Sequence, residues 1–134
     1  MLGYYAEYGS TYISILMAAT TIFFALPILI MPLTWARIMR WTIPEHTDLA
    51  VYFGRCLGAF ILIVEVLMLR AITTGTGYAH TFDVLFFVFT LMLVIHVYGA
   101  IKRTQPITET LEIGVWLALF LMNTAFYPTT AITF

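Results

Sequence analysis

Four apolar runs, near Tyr12–Met31, Val51–Ala71, Thr81–Ile101 and Leu111–Tyr127, are separated by the polar, glycine and proline residues that bound helices. A bilayer core takes roughly 20 apolar helical residues, with about 17 as the lower limit, so all four runs are long enough to cross. Hydrocarbon offers no hydrogen-bond partners and the runs lack the alternation of barrel strands, which leaves helix as the backbone. The pattern predicts an all-α integral membrane protein, a four-helix antiparallel bundle joined by short connections, with residues 1–134 forming a single transmembrane domain. Between the first two runs, Trp35–Trp41 reads as a short interfacial helix whose arginines reach headgroups. Thr42-Ile-Pro-Glu45 has capping-box spacing with proline in the first turn, which places the start of the second helix there. Thr73–Gly77 reads as a tight turn, Lys102–Pro106 as the end of the third span, and Glu109 and Glu112 as favourable charges in the first turn of the fourth. Pro27 is expected to kink the first span. That span is not expected to be a cleaved signal peptide, because the leader Met-Leu-Gly-Tyr-Tyr-Ala-Glu has no Lys or Arg.

The basic residues orient these spans. Arg37 and Arg40 fall between the first and second runs, Lys102 and Arg103 between the third and fourth, and Arg70 alone between the second and third. The positive-inside rule then puts the two basic loops in the cytoplasm and both termini on the non-cytoplasmic side. Trp35, Trp41 and Tyr98 read as anchors at the inner interface; Tyr4, Tyr5, Tyr8 and Tyr12, with Tyr78 and Tyr127, read as anchors at the outer one.

Composition narrows the function. With 62% hydrophobic and only 10% charged residues, the chain cannot cover a small water-facing surface. A net charge of −1 leaves no basic field for nucleic acid. Cys56 is the only cysteine, which excludes an intrachain disulfide, a CxxC redox pair and a cysteine-rich zinc site. The seven methionines are scattered and read as adaptable packing. No nucleophile–base pair, phosphate loop or metal-ligand set stands out, so no catalytic or metal residue is assigned and the reading leans away from an enzyme without excluding one.

Polar residues inside the spans carry the rest, since a mid-bilayer charge costs about 2.5–3.5 kcal/mol on insertion scales. Gly54 and Gly58 form a GxxxG pair, and Glu65, seven residues after Gly58, projects within roughly 20° of the same line. Gly54, Gly58, Ile61, Glu65 and Met68 therefore make one helix-packing stripe, with the carboxyl group either a structural hydrogen-bonding group or a proton- or ligand-handling one. Glu112 and Asn123 share a face of the fourth helix, and the depths of Asn123 and Glu65 predict a contact between those two, either within one chain or across an oligomer interface. Arg55, His96 and Glu112 reach a common depth near the inner face, where Arg55 either pairs with Glu112 or extends to headgroups. Arg70 and Asp83 are expected to meet at the outer rim. His80 and His96 lie roughly 24 Å apart along one helix and cannot both ligate one haem, so this chain alone is not expected to bind haem.

Gly54-Arg-Cys-Leu-Gly-Ala59 followed by Glu65 is similar to one helix of DoxX-like proteins, with a different glutamate spacing; the likeness covers that helix only and implies no activity. The first expectation is therefore a small accessory or structural subunit of a larger membrane complex, packed against partner helices or copies of itself, lipid, and a quinone or pigment. The alternative is a small oligomeric transporter or channel with Glu65 as its proton- or cation-responsive group. A third reading is a membrane redox or enzyme subunit using Arg55, His96 and Glu112. The bacterial inner membrane is the expected location, with the mitochondrial inner membrane also compatible.

Overall fold

A computed structural model describes residues 2–129 of the chain. It contains five helices and, among the described residues, no strand: α1 (Ala6–Ile30), α2 (Pro32–Ile38), α3 (Asp48–Thr74), α4 (Tyr78–Lys102) and α5 (Ile107–Phe126). α1, α3, α4 and α5 are each long and apolar enough to cross a membrane. Each extends beyond its apolar run at the N-terminal end, because hydrogen bonding continues through the polar first turns. The short helix lies slightly earlier than expected, at Pro32–Ile38 rather than 35–41, starting at the proline that suits a first helical position.

The start expected at Thr42–Glu45 is not used. That segment is non-helical and α3 begins at Asp48. Local capping chemistry loses there to a tertiary contact, since the same segment carries Trp41 to α5. The turn at Thr73–Gly77 forms as expected: α3 stops at Thr74, and Gly75 and Gly77 both take left-handed φ values of 71°.

Pro27 perturbs α1 in an identifiable way. The helix widens to a π turn over Thr21–Ala25, and proline's missing N–H frees the carbonyl of Phe23, four residues earlier. The Trp35 indole N–H donates to that carbonyl at 2.9 Å. Trp35, expected as an interfacial anchor, therefore also repairs the proline break.

Packing follows the small residues. α1 lies along α3, and α5 packs mainly on α4. A Cβ added at Gly58 would sit 2.6 Å from the Leu29 backbone nitrogen and 2.8 Å from the Ala25 carbonyl oxygen, so glycine permits backbone-to-backbone approach of α1 and α3. One added at Gly54 would meet the Pro32 ring. Gly58, Glu65, Met68 and Ala71 form the buried line of α3, while Gly54 and Ile61 are half-buried. Tyr12, Ile13, Leu16, Met68, Phe82, Leu85 and Phe89 make the core. Tyr12 is thus an interior residue, stacked on Phe126 with ring centroids 4.8 Å apart, and not the interfacial anchor its neighbours suggested. The outward faces carry Ile15, Phe23, Phe60, Ile63, Phe87 and Val94, all exposed. Such a surface matches hydrocarbon, not water.

Candidate functional site

The buried polar groups fall into three separate places. Midway along α3, Glu65 accepts hydrogen bonds from Thr20 Oγ1 at 2.8 Å on one carboxyl oxygen and from Thr21 Oγ1 at 2.7 Å on the other. The residue is 6% exposed, so its own chain closes it off. Consecutive threonines at the start of the π turn supply both partners, and neither was singled out from the sequence. The contact with Asn123 is not made within the chain. Asn123 is fully buried, but its amide donates to the Phe82 carbonyl at 3.0 Å, and its own carbonyl has no partner among the described residues. Helical phase identified the correct face of α5; the neighbour it meets is α4 instead of α3.

At the end of the molecule where α3 meets α4, Arg70 and Asp83 do not pair. Arg70 is exposed, and Asp83 accepts the Tyr127 hydroxyl hydrogen at 2.9 Å. That hydrogen bond, helped by burial, holds the Tyr127 phenol above the ordinary tyrosine range.

The richest constellation lies toward the opposite end. His96 sits six residues before the end of α4, roughly 9 Å from it. Glu109 and Glu112 sit three apart in the opening turns of α5, a spacing that puts both on one face. The His96 Nε2 atom is 3.1 Å from Glu109 Oε2 and 3.5 Å from Glu112 Oε2. His96 and Glu109 are buried and Glu112 nearly so. His96 and Glu109 are each held from behind. His96 Nδ1 lies 2.7 Å from the Met92 carbonyl, to which only an N–H can donate, which fixes the ring and leaves Nε2 facing the carboxylates. The Trp41 indole N–H donates to Glu109 Oε1 at 2.8 Å, leaving Oε2 for the cluster. The Trp116 indole N–H approaches His96 Nε2 at 3.3 Å from the side.

The neighbouring loop is tied into the same assembly. The Gln105 amide donates to the His96 carbonyl at 3.0 Å and to Thr110 Oγ1 at 3.2 Å, lying across Gly99, where α4 has no side chain. The Thr108 hydroxyl donates to the Met39 carbonyl, joining α5 to the segment after α2. On its other side Trp41 lines an apolar cavity of about 230 Å³ with Trp35, Pro44, Gly54 and Leu57.

Electrostatically the cluster is short of positive charge. Among the described residues its carboxylates form ion pairs with His96 alone, and Arg55, expected at this depth, is exposed on α3 and makes no ion pair. Tyr98 is exposed, with the Lys102 ammonium 5.9 Å from its ring centroid. One imidazole and two carboxylates offer three ligand atoms within 4.8 Å of one another, a set able to hold a cation or share protons. The sequence placed His96 and Glu112 at one depth but read Glu109 only as a dipole partner and Trp41 only as an anchor. The signal for Glu109 was its spacing to Glu112; nothing local pointed to Trp41. No protein-family model, curated protein or solved structure matches this chain.

Proposed function

We propose that the chain is a small integral membrane subunit that works packed against other subunits of a larger complex. In this reading the four spans run up, down, up and down with both termini outside, as the basic loops around Arg37, Arg40, Lys102 and Arg103 favour. The bacterial inner membrane is the assigned location. The observation that carries the proposal is the closure of Glu65. A transporter needs its deep carboxyl free to exchange protons or ions, whereas here both oxygens are engaged by threonines of the adjoining helix. The group then serves as glue between α1 and α3, which favours a structural part over a conduit. The apolar cavity beside Trp41 suits the tail of a lipid or another hydrophobic molecule.

A redox or enzymatic subunit is the second reading, favoured by one specific feature: His96 lies within 3.5 Å of Glu112 and of Glu109, which stands in place of Arg55. Purification in mild detergent tests the first proposal. Larger membrane subunits are expected to co-migrate with the chain, and a lone chain across several mild detergents overturns it.

A further inference from the structure

We propose that His96, Glu109 and Glu112 bind one divalent transition-metal ion, a role separate from the subunit reading and independent of it. Three observations converge. The first is spacing. Bonds of about 2.1 Å in a tetrahedral site place neighbouring donors about 3.4 Å apart. His96 Nε2 already stands 3.1 Å and 3.5 Å from the two glutamate oxygens. A metal ion would enter as side-chain rotations bring the three donors, all within 4.8 Å of one another, to that spacing, the Trp116 N–H turning from Nε2 to the neighbouring Glu112 carboxylate.

The second is the support behind the donors. Metal-binding imidazoles are held through their other nitrogen, and ligating carboxylates by hydrogen bonds to their second oxygen. Met92 provides the first through its carbonyl and Trp41 the second through its indole. These contacts leave Nε2 of His96 and Oε2 of Glu109 directed at the shared centre.

The third is charge. Two carboxylates in a largely buried position face one imidazole and no lysine or arginine. A dication with two carboxylates and neutral imidazole is neutral overall, which removes the cost of burying the unmatched charge. A mixed imidazole and carboxylate set suits zinc, ferrous iron or manganese, and three protein donors leave a fourth position for water or a substrate group.

The test uses the whole chain in detergent, stripped with a chelator and titrated with Co²⁺, followed by Zn²⁺. One Co²⁺ per chain with visible ligand-field bands is expected, displaced by Zn²⁺. Glu109→Gln and Glu112→Gln should abolish the bands. Trp41→Phe, which removes no ligand, should weaken binding about 10–100-fold while keeping them. His46→Ala and His80→Ala should leave the affinity unchanged. Absence of stoichiometric binding to the wild-type chain overturns the proposal. So does binding that survives Glu112→Gln and disappears with His46→Ala or His80→Ala, which identifies an adventitious ion only. Should the glutamine variants fail to fold, the wild-type titration and Trp41→Phe decide the matter.

Discussion

Replacing Glu65 discriminates between a carboxyl group that binds helices together and one that moves protons. Its two oxygens accept from Thr20 at 2.8 Å and Thr21 at 2.7 Å. Glutamine reproduces this arrangement. Its carbonyl accepts from Thr20, its N–H donates to Thr21 Oγ1, and the Thr21 hydrogen turns to the Met17 carbonyl 2.8 Å away. Interhelical hydrogen bonds in membrane proteins average about 0.6 kcal/mol, so Glu65→Gln should cost less than about 0.6 kcal/mol. Leucine loses both bonds, yet neither hydroxyl is stranded, because Thr20 also reaches the Leu16 carbonyl at 3.0 Å. The expected loss is therefore only about 1 kcal/mol, two average bonds. Alanine adds a cavity at a site 6% exposed and should cost about 2–5 kcal/mol. Unfolding in mixed micelles with increasing SDS, followed by circular dichroism, should give the order glutamine, leucine, alanine. A double-mutant cycle of Glu65→Leu with Thr21→Val should show a coupling of about 0.6 kcal/mol, and no more than about 1.7 kcal/mol. Glutamine as damaging as alanine, or no coupling with Thr21, would refute the glue reading. A folded Glu65→Gln protein that loses ion-coupled flux in vesicles would restore the transporter.

Gly58→Ala places a carbon 2.6 Å from the Leu29 nitrogen, which cannot move without separating α1 from α3. A loss of about 1–3 kcal/mol is expected in the same unfolding assay, against little change for Gly114→Ala, where the added carbon meets open space. Trp35→Phe removes the donor to the Phe23 carbonyl that Pro27 leaves free and should cost about 0.5–1.5 kcal/mol, the net contribution of one such hydrogen bond. In a Pro27→Ala background, where a backbone N–H can serve that carbonyl, the cost should shrink, and an unchanged cost would remove the repair role from Trp35. Tyr127 ionises above the ordinary tyrosine value of 10.0 because its protonated hydroxyl donates to Asp83. A raised folded value means this stabilisation is fully present below about pH 10 and is lost as pH rises through the folded value. Tyrosinate absorbance should show a late-titrating phenol that Tyr127→Phe removes.

The apolar pattern made the four long helices readable because a helix able to cross a membrane must be apolar along most of its length, whatever its neighbours. Glycines 54 and 58 and Glu65 were readable as one packed line for a related reason: helical phase is a property of one segment alone. What could not be read was which helix faces which. Asn123 is buried as its phase implied, but it meets Phe82 on α4, since α5 packs most closely there. Trp41 and Glu109 lie 68 positions apart, and their bond exists only because the segment after α2 is non-helical and Thr108 ties it to α5. The capping-box spacing at Thr42–Glu45 misled for the same reason: a few tenths to about 2 kcal/mol of local capping is easily outweighed by tertiary contacts.

The two buried acidic places differ in a way that locates chemistry in one of them. At Glu65 every oxygen is engaged by a hydroxyl from the adjoining helix, so little remains for a ligand to improve. At Glu109 and Glu112, two carboxylates compete for one imidazole, with indole N–H groups supplying the remaining direct polar support. Neutral donors orient a carboxylate but do not cancel its charge, and charge is what burial penalises most. A sequence selected only for a firm bundle would place leucine at one of these positions, because replacing buried ionic groups by well-packed apolar ones is often neutral or stabilising. Holding both acids beside a histidine, with the Nδ1 and Oε1 sides already occupied, is instead the arrangement that the metal-binding proposal requires. Restoring neutrality is therefore the energetic opening through which this otherwise apolar molecule can take up something from outside itself.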